Sequence, residues 1–298
     1  MEVLKTLNLT KTYKKISVVN NVNMVINQGD IYGFVGENGA GKTTLIRLVT
    51  NSITKTKGEA ILFAGKPINK GCIGAIVEKP SFYEYLNAYN NLKYHFLVLG
   101  LNDYERIPSL LKMVGLDSEV FSTKKVANFS LGMRQRLAIA ITLISNPQLL
   151  FLDEPMNGLD PEGIIQMREL ILKLNKEHGI TFLISSHILS ELAKVANRFG
   201  FISKGVLIKE VSIEDINHTL KAHYKLKLAK TTNIESFLKS ENISDYKIQN
   251  GDVLIYDNIN IESFILKLIK EEFGLIDITR ISESLEDYYI KTLYGGLK

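Results

Sequence analysis

The stretch "GENGAGKT", Gly36 to Thr43, constrains this chain more than any other part of it. It fits the pattern G-x-x-x-x-G-K-[ST]. It directly follows an apolar run, Ile31–Val35, and a helical pattern over Lys42–Thr50 comes next. In a strand–loop–helix setting the glycines let backbone N–H groups turn inward around phosphates, and the helix N-terminus adds its partial positive charge. Lys42 is placed to reach the β- and γ-phosphates of a nucleotide, and Thr43 to offer its hydroxyl to Mg²⁺. Gly36, Asn38, Gly39, Gly41, Lys42, Thr43 and Thr44 are therefore the candidate nucleotide contacts.

A phosphate loop of this kind needs a sheet behind it. Apolar strand candidates are Val18–Ile26, Ile31–Val35, Ile73–Val77, Leu149–Asp153, Phe182–Ser185 and Phe199–Ser203, with helical patterns at Glu162–Glu177 and Ser190–Ala196. Short apolar strands with helical crossovers predict an α/β sheet, largely parallel and covered on both faces. Between Ala88 and Ala127 the pattern turns helical, which predicts a helical insertion reaching to about residue 145. One strand candidate, "LLFLDEP", ends in two acids. Beside a phosphate loop, Asp153 is suited to the Mg²⁺ shell and Glu154 to polarising the attacking water. The strand Ile73–Val77 ends in a single carboxylate, Glu78, which the strand pattern alone leaves open between a surface loop acid and a metal-facing one.

Composition narrows the class further. No apolar run approaches the ~20 residues needed to cross a bilayer, and the start "MEVLKTLNLT" lacks a signal-peptide pattern. A single cysteine, Cys72, cannot form an internal disulfide, which fits a reducing compartment. Residues 1–210 hold 25 Lys+Arg against 18 Asp+Glu, a net +7, and residues 211–298 hold 11 against 14, a net −3. A basic first part suits an anionic ligand or a membrane surface, and charge alone does not choose between them.

A second unit is expected over 211–298. "HYKLKLA" alternates as a strand does, "IESFLKS" reads as a helix, and "YKIQNGDVLIY" carries Asn250-Gly251 between two alternating runs, a hairpin signal. "IESFILKLIKEEFG" reads as an amphipathic helix with Gly274 placed to end it. "LIDITRI" is a further strand and "SLEDYYIKTLY" a last helix. The order βαββαβ suggests a small ferredoxin-like α+β domain.

No guanine-reading [NT]-K-x-D motif is present. Instead "FSLGMRQRLAIA" begins at Phe129, shortly before Asp153. This resembles the signature of ABC ATPases, and the resemblance runs in order over residues 1 to about 210. Tyr13 in "KTYKK" matches the adenine-stacking aromatic, Gly36–Thr43 the Walker A motif, and Ser130 and Gly132 the signature positions. Asp153 and Glu154 match Walker B and the catalytic glutamate, Asp160 in "NGLDP" the D-loop acid, and His187 in "LISSHIL" the switch histidine. The resemblance implies a P-loop NTPase of ABC type with a helical insertion. It also implies ATP and Mg²⁺ as ligands, and two such domains paired head to tail with ATP between them, as a homodimer or with a paralogue. Ser130 can cap the helix that starts "SLGMRQRL", whose N-terminus would face the partner's γ-phosphate. Two positions depart from the family pattern: Leu131 stands where the first signature Gly belongs, and Met133 where the Gln does.

The resemblance also gives the lone acid a reading. The family normally presents a Gln where Glu78 stands, in a loop that faces the membrane partner and senses Mg²⁺. Glu keeps the reach and offers a hard oxygen, so Glu78 is a candidate metal-facing and catalytic group beside Glu154 and His187. A Glu there, with "VEKPSFYEYLNAYNNL", "LDEPMNGLDPEGI" and "SLEDYY", is similar to the ATPases of bacitracin-resistance and lantibiotic-immunity exporters. The implied role is a cytoplasmic ATPase subunit, peripheral on the inner face of the membrane, that drives removal of a peptide antibiotic through a separate permease. Another cargo (an ion, a lipid or a polysaccharide) is the first alternative. A soluble ATPase acting on ribosomes or DNA is the second. A single cassette, with 88 residue numbers between Lys42 and Ser130 (130 − 42), argues against the latter and against nucleic acid as a partner.

Overall fold

The computed structural model describes residues 1–66, 71–78, 81–116, 123–220, 223–249, 251–257, 259–281 and 284–294. They divide into two units: Met1–Ile213 with the chain from Thr292 on, and Glu214–Lys291.

In the first unit, strands β1 (Glu2–Tyr13), β2 (Ile16–Asn27) and β4 (Lys57–Leu62) form an antiparallel sheet in the order β2-β1-β4. Strand β3 (Ile31–Val35) belongs to the other sheet. Its companions are β5 (Ile73–Ile76), β6 (Leu149–Asp153), β7 (Thr181–Ser186), β8 (Arg198–Ser203) and β9 (Val206–Ser212), in the order β5-β6-β7-β3-β8-β9. All neighbours there are parallel except β8 and β9. The alternation of Val22, Met24 and Ile26, all buried, puts one face of β2 on the core. Parallel strands buried on both faces read as unbroken apolar runs, and β3 and β7 are buried throughout.

Helix α1 (Lys42–Val49) follows β3 and sends Leu45, Ile46, Leu48 and Val49 into a core that also holds Met24, Phe34, Phe151 and Leu183. The predicted helical insertion is present as α2 (Ala88–Val98), α3 (Ile107–Met113) and α4 (Leu131–Leu143). Asn87 caps α2 by accepting from the Asn90 N–H at 2.8 Å, and Pro108 opens α3. Helix α5 (Pro161–His178) starts on the cap Asp160 and ends on Gly179 at φ 66°, so both ends carry their expected signals.

Several local expectations are corrected. Val18–Ile26 is a strand of the separate antiparallel sheet, where its neighbour β1 had no counterpart in the sequence reading. Bulges interrupt the β1 alternation, with Asn8 and Asn21 at positive φ, so the two-residue period breaks. Strand β9 was also missed. It hairpins back from β8 through Lys204-Gly205, both at positive φ, as a two-residue turn requires. The helix expected over Ser190–Ala196 is a single turn, α6 (Leu189–Leu192).

A short helix, α7 (Ile213–Thr219), begins at the break between units. The second unit runs β10 (His223–Leu228), α8 (Ile234–Ser240), β11 (Tyr246–Gln249), β12 (Asp252–Ile255), α9 (Ile261–Lys270), β13 (Leu275–Ile281) and α10 (Leu285–Tyr294), the last turn of which counts with the first unit. Its sheet has the order β11-β12-β10-β13 with every neighbour antiparallel. Leu226, Val253, Ile255, Phe264 and Leu268 form its core. In the β11–β12 hairpin Gln249 faces Asp252 and Gly251 sits at φ 86°. Asn250 lies outside the described residues. Gly274 does not end α9, which stops at Lys270 with Glu272 in the left-handed region. Gly274 instead lets the backbone approach Ala229, whose Cβ would stand 2.9 Å from an added Cβ.

Candidate functional site

The register of the parallel sheet fixes the site. Val35 pairs with Ser186 and Asp153 with Ser185, so β3, β6 and β7 end together at their carboxyl edge. Ligands of open α/β sheets bind at that edge. The loop from Gly36 to Thr43 closes over it. Gly41 sits at φ 105°, and a Cβ there would stand 2.5 Å from the Val18 carbonyl oxygen, so only glycine fits.

Lys42 is the first residue of α1 and is only 5 % exposed. Its ammonium donates to the carbonyls of Gly36 at 2.7 Å and Glu37 at 3.1 Å, and lies 3.2 Å from Glu154 Oε1. Thr43 Oγ1 donates to Asp153 Oδ2 at 2.7 Å. The other Glu154 oxygen, Oε2, meets His187 Nδ1 at 2.9 Å. Lys42, Glu154 and His187 form one set of contacts and Thr43 and Asp153 another, and the Ser185 hydroxyl, bonded to Asp153 Oδ1 and to the Glu154 N–H, joins the two into one network at the ends of β6 and β7 and the N-terminus of α1. It places a cation, a hydroxyl and two carboxylates where a bound polyphosphate would meet the loop.

Sequence reasoning missed Ser185. Its hydroxyl donates to Asp153 Oδ1 at 2.5 Å and accepts from the Glu154 N–H at 3.0 Å. Glu154 has φ 50°, the left-handed region that a non-glycine residue adopts only when held. Ser185 is part of what holds it. The available signal was two serines ending an otherwise apolar strand, just ahead of His187.

The remaining candidates lie apart from this network. Tyr13 ends β1, is 47 % exposed, and has the Lys11 ammonium 4.8 Å from its ring centroid. The Ser130 hydroxyl accepts from the Met133 N–H at 3.3 Å and caps α4. Asp160 Oδ1 accepts from the Gly163 N–H at 3.2 Å and caps α5. These two helix N-termini adjoin: a Cβ on Gly132 would stand 3.8 Å from Leu159 Cδ2, and one on Gly158 3.3 Å from Leu131 Cδ2. Leu131, the departure from the family signature, therefore packs against the loop before α5. Glu78 makes an ion pair with Arg47 of α1; that contact, rather than one with Thr43 or Asp153, is where its carboxylate is found. Arg47 was a second residue that sequence reasoning passed over.

The fold and these contacts define a nucleotide-binding cassette. The ABC transporter family profile matches residues 19–157, from β2 through the phosphate loop and past Glu154. The chain is 39% identical to the bacitracin transport ATP-binding protein BcrA of Bacillus licheniformis, over 99% of this chain and 98% of that one. It is 46% identical to the lantibiotic transport ATP-binding protein SrtF of Streptococcus pyogenes, over 70% of this chain and 90% of that one. Among solved structures it resembles the post-hydrolysis dimer of the ATP-binding cassette MJ0796 bound to ADP and Pi. The TM-score is 0.61 at 25% identity, covering 70% of this chain and 98% of that one. The chain belongs to the ATP-binding subunits of ABC transporters. It binds nucleotide and is an ATPase whose hydrolysis is coupled to transport. No helix among the described residues is long and apolar enough to cross a membrane.

Proposed function

We propose that this chain powers the removal of a peptide antibiotic of the bacitracin or lantibiotic kind through a separate permease. On this reading it works as a cassette dimer, a homodimer or a pair with a paralogue, held by the permease at the inner face of the membrane. The observation that carries the catalytic part is the pair of contact sets Lys42–Glu154–His187 and Thr43–Asp153, joined through Ser185. The cargo class rests on the BcrA and SrtF likenesses, the first of which spans nearly the whole chain.

On this reading each residue has a definite role. Lys42, released from the Gly36 and Glu37 carbonyls, binds the β- and γ-phosphates. Glu154 accepts a proton from the attacking water, and His187 on Oε2 keeps its carboxylate oriented. Hard hydroxyl and carboxylate oxygens 2.7 Å apart, at Thr43 and Asp153, fit Mg²⁺, which takes one or two protein oxygens and completes its shell with phosphates and water. When bound, Mg²⁺ supplies positive charge against the developing charge on the phosphates. Tyr13 stacks on the adenine, with Lys11 on its ring. Ser130, Gly132 and Asp160, on the adjoining N-termini of α4 and α5, serve the site of the facing cassette, where the α4 N-terminus offers N–H groups to the γ-phosphate. Glu78 links the partner-facing loop to the cation site.

The test is growth inhibition by bacitracin and a panel of lantibiotics in cells carrying this chain with its neighbouring permease genes, either wild type or Glu154→Gln. Protection by wild type alone against some of these peptides supports the reading. Equal inhibition across the panel overturns the antibiotic cargo and moves ions or lipids to the front.

A further inference from the structure

We propose that Arg47 is a positioning residue for Glu78, tying the loop after β5 to the helix that carries Lys42 and Thr43. This rests on the reading of Glu78 given above. Three observations carry it.

The first is the contact itself: the Arg47 guanidinium and the Glu78 carboxylate form a hydrogen-bonded ion pair between α1 and the residue just beyond β5. The second is backbone strain. Glu78 has φ 63°, in the left-handed region, where a glycine or asparagine is the usual occupant. A glutamate held there needs something to hold it. The third is exposure. The Arg47 and Glu78 side chains are 35 % and 65 % exposed, and solvent screening leaves so open a pair little to add to stability. The pair is thus better suited to orientation than to folding.

The geometry gives the pair a purpose. Arg47 lies five positions beyond Lys42 on the same helix, about 7.5 Å along its axis at 1.5 Å per residue. Helix α1 is anchored at its start by the Lys42 and Thr43 contacts and along its length by Leu45, Ile46, Leu48 and Val49 in the core. A carboxylate clamped to this helix keeps a fixed direction relative to the phosphate loop. Its negative charge is also offset by the guanidinium. A Gln at position 78 would need no such counter-charge. Arg47 therefore explains how a glutamate can stand there.

The test uses the purified full chain and four variants: Arg47→Met, Arg47→Lys, Glu78→Ala and the Arg47→Met/Glu78→Ala double. ATP hydrolysis is followed as kcat and KM, and amide hydrogen exchange is followed on the peptide ending at Glu78. Arg47→Met is expected to lower kcat at least fivefold with KM for ATP within about twofold, because Lys42 and Thr43 are untouched. It should also speed exchange in that peptide. Arg47→Lys should recover more than half of the kcat, and the double variant should be no worse than Glu78→Ala. An unchanged kcat in Arg47→Met, or losses that multiply in the double variant, overturns the proposal. If Glu78→Ala alone leaves kcat unchanged, the reading of Glu78 itself falls; if it lowers kcat and Arg47→Met does not, only the pairing falls.

Discussion

Replacing Glu154 by Gln should separate catalysis from binding. The carboxylate has a partner on each oxygen: Lys42 Nζ at 3.2 Å from Oε1 and His187 Nδ1 at 2.9 Å from Oε2. An amide has the same shape. Its oxygen can keep the approach to Lys42, and its NH₂ can donate to His187 Nδ1. The shape of the site is kept, although the ion pair with Lys42 becomes a neutral contact. The loss is the proton acceptor, and general-base catalysis is worth roughly 10²–10⁴-fold. At 1.36 kcal/mol per factor of ten, that is about 2.7–5.5 kcal/mol of transition-state stabilisation. The removal of one negative charge beside Lys42 should leave ATP affinity equal or higher. The assay is steady-state ATP hydrolysis beside equilibrium binding of a fluorescent ATP analogue. A kcat loss below tenfold would refute the assignment of Glu154 as the base. A large kcat loss accompanied by a tenfold fall in affinity would recast Glu154 as a scaffold for Lys42.

Other perturbations have equally definite outcomes. Lys42→Met removes the buried ammonium proposed to bind the β- and γ-phosphates; a charge-assisted bond of about 1.5–3 kcal/mol to phosphate predicts an ATP affinity lower on the order of 10–100-fold in the same binding assay. Ser185→Ala strips a hydroxyl donor from Asp153 and an acceptor from the strained Glu154 N–H, and should lower stability by about 1–3 kcal/mol in denaturant titration while also reducing kcat. Tyr32 is fully buried and donates to Glu210 Oε1 at 2.8 Å; burial first, and then the Glu210 charge, raise its pKa well above the ordinary 10.0. The unfolded chain therefore releases this proton near pH 10 while the folded chain keeps it, so stability should fall by about 1.4 kcal/mol per pH unit above that point. In Tyr32→Phe that slope should disappear from urea midpoints measured between pH 9 and 11, and persistence of the full slope would locate its origin elsewhere.

The parallel sheet was legible because its strands are buried on both faces and announce themselves as apolar runs. Ile31–Val35 and Leu149–Asp153 match their observed limits for that reason. The antiparallel sheet was harder to read. One face of β1 is buried and its bulges interrupt the alternation, so Glu2–Tyr13 carries no clean period for a sequence pattern to detect. Strand β9 lies on the sheet edge, with Val206, Ile208 and Lys209 exposed and Val211 alone buried. Its identity comes from pairing with β8, a long-range fact that local propensity does not contain. Gly274 misled for a related reason. A glycine after an amphipathic helix usually marks its end, whereas here the demand for glycine comes from Ala229, a residue distant in sequence.

The site divides along the same line. Lys42, Thr43, Asp153 and Glu154, which sit at a loop or a strand end, could be picked from spacing, and the structure gathers them at the carboxyl edge of the sheet. Ser185 and Arg47 could not, since a serine in a strand and an arginine on a helix are ordinary until their partners are known. Ser185 acts only because β6 and β7 lie in register, which brings its hydroxyl to Asp153. Arg47 acts only because β5 ends beside α1. Both missed residues hold a motif residue at an unfavourable backbone angle, Glu154 at φ 50° and Glu78 at φ 63°. The motif thus states which group does the chemistry, while the tertiary fold supplies the group that holds it there. In this chain the supporting residues are therefore best sought around strained motif positions, where a contact distant in sequence sets the direction of the side chain.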